Sequence, residues 1–216
     1  MLIAIDGACK RNGEPSCVST GVAWIQTEDG NLLFKAKFEH QSTSQRGELN
    51  GLLEALEYAV KHSASDEDII IVTDSEYMYN TVQLGWSFKW EQQSWMGATG
   101  TVKNVDMWQK ANKLLRYLDG RVFMQWTKGH LISYTPGNAK KAMQVDETGI
   151  ELYTRIQAVA SRPYDKHRII SDFNVNRRNH GHMAPPDEVA FEWAVANTTA
   201  DCLAFYLVRT FDDLLI

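Results

Sequence analysis

Long apolar runs are missing from this chain. None approaches the roughly 18 residues a membrane span requires, and the opening Met1-Leu2-Ile3-Ala4-Ile5 meets Asp6 too early for a signal-peptide core. A cytoplasmic protein with no membrane partner is the expectation. Cysteine is scarce and odd in number: Cys9, Cys17 and Cys202 show no Cys-x-x-Cys spacing, which argues against a disulfide framework or a structural zinc site. With only 5 Pro and 14 Gly in 216 residues, collagen-like and low-complexity classes are excluded. Bulk positive charge is also lacking, since 22 Lys and Arg face 27 Asp and Glu for a net charge of -5. A protein that holds nucleic acid by displacing counterions with many cations does not have this balance. Any polyanionic partner must be met by metal ions or local basic patches.

What is present is a folded α/β pattern. Leu2 to Lys10, Gly21 to Gln26 and Leu32 to Phe38 alternate apolar and polar residues as strands do, and Glu28-Asp29-Gly30-Asn31 supplies a tight turn for an antiparallel hairpin. From Ser44 the period lengthens, and Leu49, Leu52, Leu53, Leu56 and Val60 share one face of a helix that ends near Ser63. Ile69-Ile70-Ile71-Val72 reads as a strand covered on both faces. A short helix carrying Tyr77, a tryptophan-rich stretch, a helix over 103–119, a fifth strand over 121–126 and a helix from Asn138 to about Ser161, with Val145, Ile150, Leu152 and Ile156 partly buried, complete this part. The pattern predicts a five-stranded mixed sheet, three antiparallel strands then two parallel ones, flanked by helices.

Three acids fall at telling places. Asp6 lies in the first strand, Glu48 in the first turn of the first long helix beside its apolar stripe, and Asp74 just beyond the fourth strand. Singly each has an ordinary explanation: a solvated strand acid, a helix acid favoured by the dipole, a residue at a helix start. Together they fit the rule that α/β sheets bind ligands outside the carboxyl ends of their strands. Two carboxylates about 5 Å apart repel by roughly 3 kcal/mol at an effective dielectric near 20, so a converged set calls for protonation or divalent cations. Oxygen donors suit Mg²⁺ or Mn²⁺, and two such ions side by side cleave phosphodiesters.

Beyond these acids, an ordered set of segments resembles the type 1 ribonucleases H. It comprises Ile5-Asp6-Gly7, Thr43-Ser44-Gln45-Arg46-Gly47-Glu48-Leu49, Thr73-Asp74-Ser75-x-Tyr77, the spaced tryptophans, Val102-Lys103-Asn104-Val105-Asp106-Met107-Trp108 and Lys128-Gly129-His130. The resemblance covers approximately residues 1 to 155. It implies a ribonuclease H-like fold, an RNA/DNA hybrid as partner and substrate, endonucleolytic hydrolysis of its RNA strand, two Mg²⁺ ions per site with Mn²⁺ as a substitute, and products with 5'-phosphate and 3'-hydroxyl ends. Asp6, Glu48 and Asp74 match the family's metal-binding carboxylates and His130 its loop histidine, the side-chain type that exchanges protons near neutral pH.

For the fourth carboxylate the family places an Asp four residues after a Gly-Asn pair. Here Gly137-Asn138 is followed at that spacing by Ala142, and Asp146, one helical turn on, is the expected replacement in preference to Glu147. On the substrate side, Trp86 and Trp90 match a handle that meets the DNA strand, Thr43 and Asn104 a DNA-phosphate pocket, and Ser44 and Gln45 minor-groove readers. Tyr77 belongs to the same matching set, and the loop from Cys9 to Asn12 would approach RNA 2'-hydroxyls. The handle is poor in cations, with Lys89 and Lys103 opposed by Glu91, and Gln41 stands where the family has an Arg. Exonucleases of the same fold usually carry Asp-x-Glu in strand one, where Ala8 stands here. A hybrid-binding module with weak or no catalysis is the remaining alternative.

Composition changes after Arg162. Residues 162–182 carry five Arg and Lys against two Asp, whereas 187–216 carry six acids against Arg209. The expected organisation is a catalytic domain over 1–160 and a mainly helical extension over 161–216, which either packs over that domain or docks nucleic acid or protein. In it, Val189, Trp193, Ala196, Ala200, Leu203 and Leu207 form one apolar helix face after Pro185-Pro186. His180-Gly181-His182, without nearby partners, reads as a polar loop rather than a metal site.

Overall fold

A computed structural model describes residues 1–132, 134 and 149–213. Strands β1 (Leu2–Lys10), β2 (Val18–Gln26) and β3 (Leu32–His40) form an antiparallel meander, and helix α1 (Ser44–His62) leads to β4 (Ile69–Thr73). Then follow α2 (Glu76–Gln83), α3 (Trp86–Gln92), a two-stranded ribbon of β5 (Met96–Gly97) and β6 (Gly100–Thr101), α4 (Val105–Tyr117) and β7 (Val122–Trp126). Helices α5 (Gly149–Ala160), α6 (Pro163–Asn179) and α7 (Asp187–Asp213) close the described chain. The main sheet has the order β3-β2-β1-β4-β7, with β4 parallel to both β1 and β7. This is the mixed sheet read from the sequence; the β5–β6 ribbon and helix α6 were not foreseen. Among the described residues no helix is long and apolar enough to cross a membrane.

Strand alternation sorts the core into two layers. Ile3, Ile5, Ala23, Ile25, Ile69 and Ile71 turn toward α1 and α4, where Leu49, Leu52, Leu56 and Trp108 are buried. Ala4, Val22, Trp24 and Val72 turn the other way, onto a layer that includes Leu152, Ile156, Phe173, Ala196, Ala200 and Leu203. Helix α7 therefore lies directly on β1, β2 and β4, with α5 and α6 packed against it. The boundary expected after residue 160 falls between α5 and α6, and α5, α6 and α7 share one apolar layer with the sheet. Ile150 differs from expectation too: it is exposed, while Leu152 and Ile156 of the same helix are buried. Val145 lies outside the described residues.

Helix α1 approaches the strands through glycine. A Cβ on Gly21 would stand 2.2 Å from the Gly51 amide nitrogen and 2.4 Å from the Gly47 carbonyl oxygen, and one on Gly7 would stand 2.2 Å from the Glu48 nitrogen. This near-contact of backbones carries Glu48 up to β1. Gly21→Ala must push α1 outward, so a loss of about 2 kcal/mol is expected, the middle of the range for overpacking. Urea unfolding measures it, and an unchanged midpoint contradicts the close approach.

Candidate metal and nucleic-acid site

Asp6 sits in the centre of the sheet on β1, where its backbone pairs with Val22. Its Oδ1 accepts a hydrogen bond from the Gly7 amide at 2.7 Å. Glu48 arrives from the second turn of α1, one turn later than the sequence pattern predicts because the helix begins at Ser44, and Asp74 follows the end of β4, immediately before the Ser75 cap of α2. One carboxylate oxygen from each of these three lies within 4.8 Å of the others. The three sequence-predicted acids therefore meet.

Their electrostatics mark an unsatisfied cluster. Burial, then Glu48, Asp74 and Asp201, push the Asp6 carboxyl well above its ordinary range. Burial and then Asp74 push Glu48 to about 8, with Asp201 adding to the rise. Asp74 is raised by burial and then by Asp201, while His130 and a hydrogen bond from the Asn197 side chain pull the other way. Oε2 of Glu48 is buried without a hydrogen-bond partner among the described residues. A buried carboxylate oxygen left unpaired among other acids is costly unless it is protonated or bound to a cation. The all-oxygen donor set and its orphaned oxygen fit Mg²⁺ or Mn²⁺.

Asp201 had no place in the sequence-based assignment. It stands on α7, and its Oδ2 is 3.1 Å from Nδ1 of His130. Helix α7 brings Asn197 with it, one turn earlier on the same face, and that side chain helps to hold the Asp74 carboxyl down. The signal that finds the pair is the spacing itself: Asn197 precedes Asp201 by four residues, with Ala196 where the usual pattern has Gly. Asp146, expected as the fourth acid, lies outside the described residues.

The loop carrying His130 passes close over the cluster. A Cβ on Gly129 would lie 2.3 Å from Asp74 Oδ2, so only glycine fits there without a shift. His130 itself is exposed and adopts a left-handed backbone, φ 57°. Upstream, the indole Nε1 of Trp126 donates to the Asp74 carbonyl at 3.1 Å, and the Thr127 amide donates to Thr73 O at 2.9 Å. These bonds tie the start of the loop to the end of β4.

The remaining expected contacts fall into two groups. Thr43 caps α1 by accepting from the Arg46 amide at 3.2 Å, and Asn12 accepts from the Ser44 amide at 3.3 Å, which brings the Cys9 to Asn12 loop to the start of α1 beside exposed Gln45. Asn104, at the cap of α4 with φ 57°, accepts from Arg46 Nη1 at 3.3 Å. Arg46 thus joins Thr43 to Asn104, but its charge is matched by Glu39 at 2.6 Å and Asp106 at 3.2 Å. Burial opposes it, yet Arg46, Ser42 and Asn50 hold the Glu39 carboxyl below its usual range.

In the second group, Trp86 and Trp90 stand 6.3 Å apart between ring centroids, with Trp90 6.1 Å from Trp108 and 6.4 Å from Tyr77. Tyr77 Oη accepts from Trp108 Nε1 at 3.0 Å. Trp86 is the outward member of this aromatic cluster, at 38% exposure. Glu91 on the same helix is engaged by Arg116 and Asn112.

Comparison with known proteins agrees with the fold. The RNase H family model matches residues 1–149. A protein named Ribonuclease H from Ruegeria sp. (strain TM1040) is 35% identical over 130 residues, 58% of this chain and 76% of that protein. One of the same name from Polaromonas sp. (strain JS666 / ATCC BAA-500) is 31% identical over 152 residues, 70% and 88% of the respective chains. Among solved structures, a foamy viral protease-reverse transcriptase in complex with RNA/DNA hybrid superposes with a TM-score of 0.51 at 15% identity, over 71% of this chain and 20% of that one. At that identity the likeness speaks for the fold alone.

Proposed function

The chain belongs to the ribonuclease H family and is a ribonuclease H hydrolase, and from that premise we propose that it cuts the RNA strand of RNA/DNA hybrids endonucleolytically, leaving 5'-phosphate and 3'-hydroxyl ends. The observation that carries this reading is the convergence of Asp6, Glu48 and Asp74 within 4.8 Å. Asp6, Glu48, Asp74 and Asp201 are the residues that would hold two divalent cations. When bound, such a pair supplies an activated water and stabilises the leaving 3'-oxygen.

The chain's own residues orient and exclude. Burial of Asp6 and of Glu48 Oε2 beneath the histidine loop keeps bulk water from the donor oxygens, and Gly129 holds that loop against Asp74. The contact between Asp201 and His130 Nδ1 fixes the imidazole and leaves Nε2 for proton exchange at the departing oxygen. Thr43 and Asn104 would take a DNA phosphate, while Trp86 and Trp90 would stack on the DNA strand. Asn12, Ser44 and Gln45 would read the minor groove, where the 2'-hydroxyl separates RNA from DNA. In this reading the catalytic unit is the five-stranded sheet with its helices plus α7, and α5 and α6 are an insertion between the histidine loop and α7.

Labelled hybrid, double-stranded RNA and double-stranded DNA, incubated with Mg²⁺ and with chelator, test this beside Asp74→Asn. Cutting of the hybrid's RNA strand that needs the metal and is lost in the variant is expected. Binding without metal-dependent cutting rejects it. His130→Ala is expected to slow turnover by about a hundredfold, the lower end of the range for a proton-transferring group, without eliminating it. Steady-state kinetics on the same hybrid measure the change, and an unaltered kcat removes His130 from the reaction.

A further inference from the structure

Helix α6 ends in a turn that the reading above leaves without a task. Arg177 of α6 is 6% exposed, yet every acceptor it meets is neutral: Nε donates to Met183 O at 2.9 Å, Nη1 to Trp126 O and Nη2 to Gln125 Oε1 at 3.1 Å. Its guanidinium lies 5.9 Å from the Phe173 ring centroid and 5.5 Å from that of Trp193. Among the described residues no carboxylate pairs with it. Burial pulls the Arg177 guanidinium below its ordinary range, but arginine stays charged at any physiological pH. The structure thus keeps an uncompensated positive charge just under its surface.

That charge anchors a turn beside the carboxylate cluster. His180 lies 4.3 Å from the Trp126 ring centroid, and His182 lies 5.8 Å from Trp126 and 4.8 Å from Tyr79. Trp126 is the side chain that bonds the Asp74 carbonyl, so the turn stands one residue's width from a metal-binding acid. Gly181, at φ 77°, provides the reversal. The adjoining Arg178 is exposed, as is Lys128 at the start of the histidine loop, and neither has an acidic partner among the described residues. The acid that faces the turn is Glu76, 3.6 Å from His180 Nε2. Met183 projects into solvent at 88% exposure.

The turn and its flank carry Arg177, Arg178 and Lys128, with Glu76 beside His180 and Asp187 held by Asn174, in a molecule whose net charge is -5 and whose reaction centre is acidic. A polyanion drawn to that centre meets repulsion unless cations lie alongside. We propose that the Arg178–Met183 turn is a nucleic-acid contact surface that holds a backbone phosphate of the hybrid next to the cutting site. This rests on the hybrid-cutting reading, and it assigns to the α5–α6 insertion the phosphate binding that the cation-poor α3 region does not supply.

The test is binding of a labelled hybrid to the full chain in chelator, where cutting is suppressed, followed by fluorescence anisotropy across a series of KCl concentrations. Arg178→Glu, at an exposed position, is expected to weaken binding about tenfold at low salt. It should also reduce the slope of log K against log salt by about 0.9, the value of one released phosphate contact. Arg178→Lys should restore both. Affinity and slope equal to those of the unaltered protein overturn the proposal. An unaltered protein that cuts hybrid with Mg²⁺ while Arg178→Glu binds equally well defeats the turn's role alone, whereas one that neither binds nor cuts hybrid defeats the hybrid reading first.

Discussion

Glu48→Gln is expected to lose metal-dependent cutting by about a thousandfold, the scale of removing one preorganised electrostatic contact from a transition state, and yet to stabilise the metal-free protein at pH 8. The two effects have one origin. Glu48 is packed beside Asp6, Asp74 and Asp201, and its carboxyl is pushed to about 8. An unfolded glutamate releases its proton near pH 4.3. Between those values the folded chain retains a proton that the unfolded chain has given up, so stability falls as pH rises from about 5 through 8. Glutamine has no such proton, and this share of the pH dependence disappears. A tenfold difference in proton affinity between the folded and unfolded chain corresponds to about 1.4 kcal/mol, so a gain of about 2 kcal/mol at pH 8 in chelator is a restrained expectation. Mg²⁺ should reverse the order by stabilising the unaltered protein and leaving the variant nearly unmoved. Thermal unfolding at pH 5 and pH 8, each with chelator and with Mg²⁺, reads all of this. A variant that still cuts, or whose unfolding responds to pH as the parent's does, refutes the role given to Glu48.

Asp201→Asn is expected to lower kcat about a hundredfold and weaken divalent-ion binding, while Asp146→Asn leaves both within twofold. Asp201 contributes to the raised carboxyls of Asp6, Glu48 and Asp74 and touches His130, so its charge already acts on every other member of the cluster. Calorimetric titration with Mn²⁺ separates metal binding from chemistry. The opposite ranking of the two variants would return the fourth position to Asp146.

The contrast between these two aspartates shows where sequence reading stopped. Asp6, Glu48 and Asp74 were legible because each sits at a fixed offset from a strong pattern: the alternation of β1, the leucine stripe of α1, the β-branched run of β4. The sheet was legible for the same reason, since strand period and turn residues are local properties. Asp201 was not, although Asn197 and Asp201 keep the four-residue step. The segment holding α5 and α6 separates them from the histidine loop, and Gly137-Asn138 stands at the usual distance. An apolar stripe such as Ala196, Ala200 and Leu203 states that a helix is covered, but not by what. Here the cover is the back of β1 and β2. Helix α6 was missed because its mean composition is polar and basic, and much of its anchoring comes from Arg177, whose neutral acceptors lie about fifty residues upstream in β7 and just downstream at Met183.

Placing α7 on the central strand also sets the timetable of biosynthesis. The last sheet strand ends at Trp126, but the helix that seals Ala4, Val22 and Val72 continues to Asp213. At about 5–20 residues per second, a ribosome needs several seconds to deliver the intervening stretch. A sheet formed within that interval would lack the apolar cover of α7 and the charge of Asp201. Newly made chains should therefore be inert toward hybrids and reliant on holdase chaperones until α7 emerges from the exit tunnel and docks.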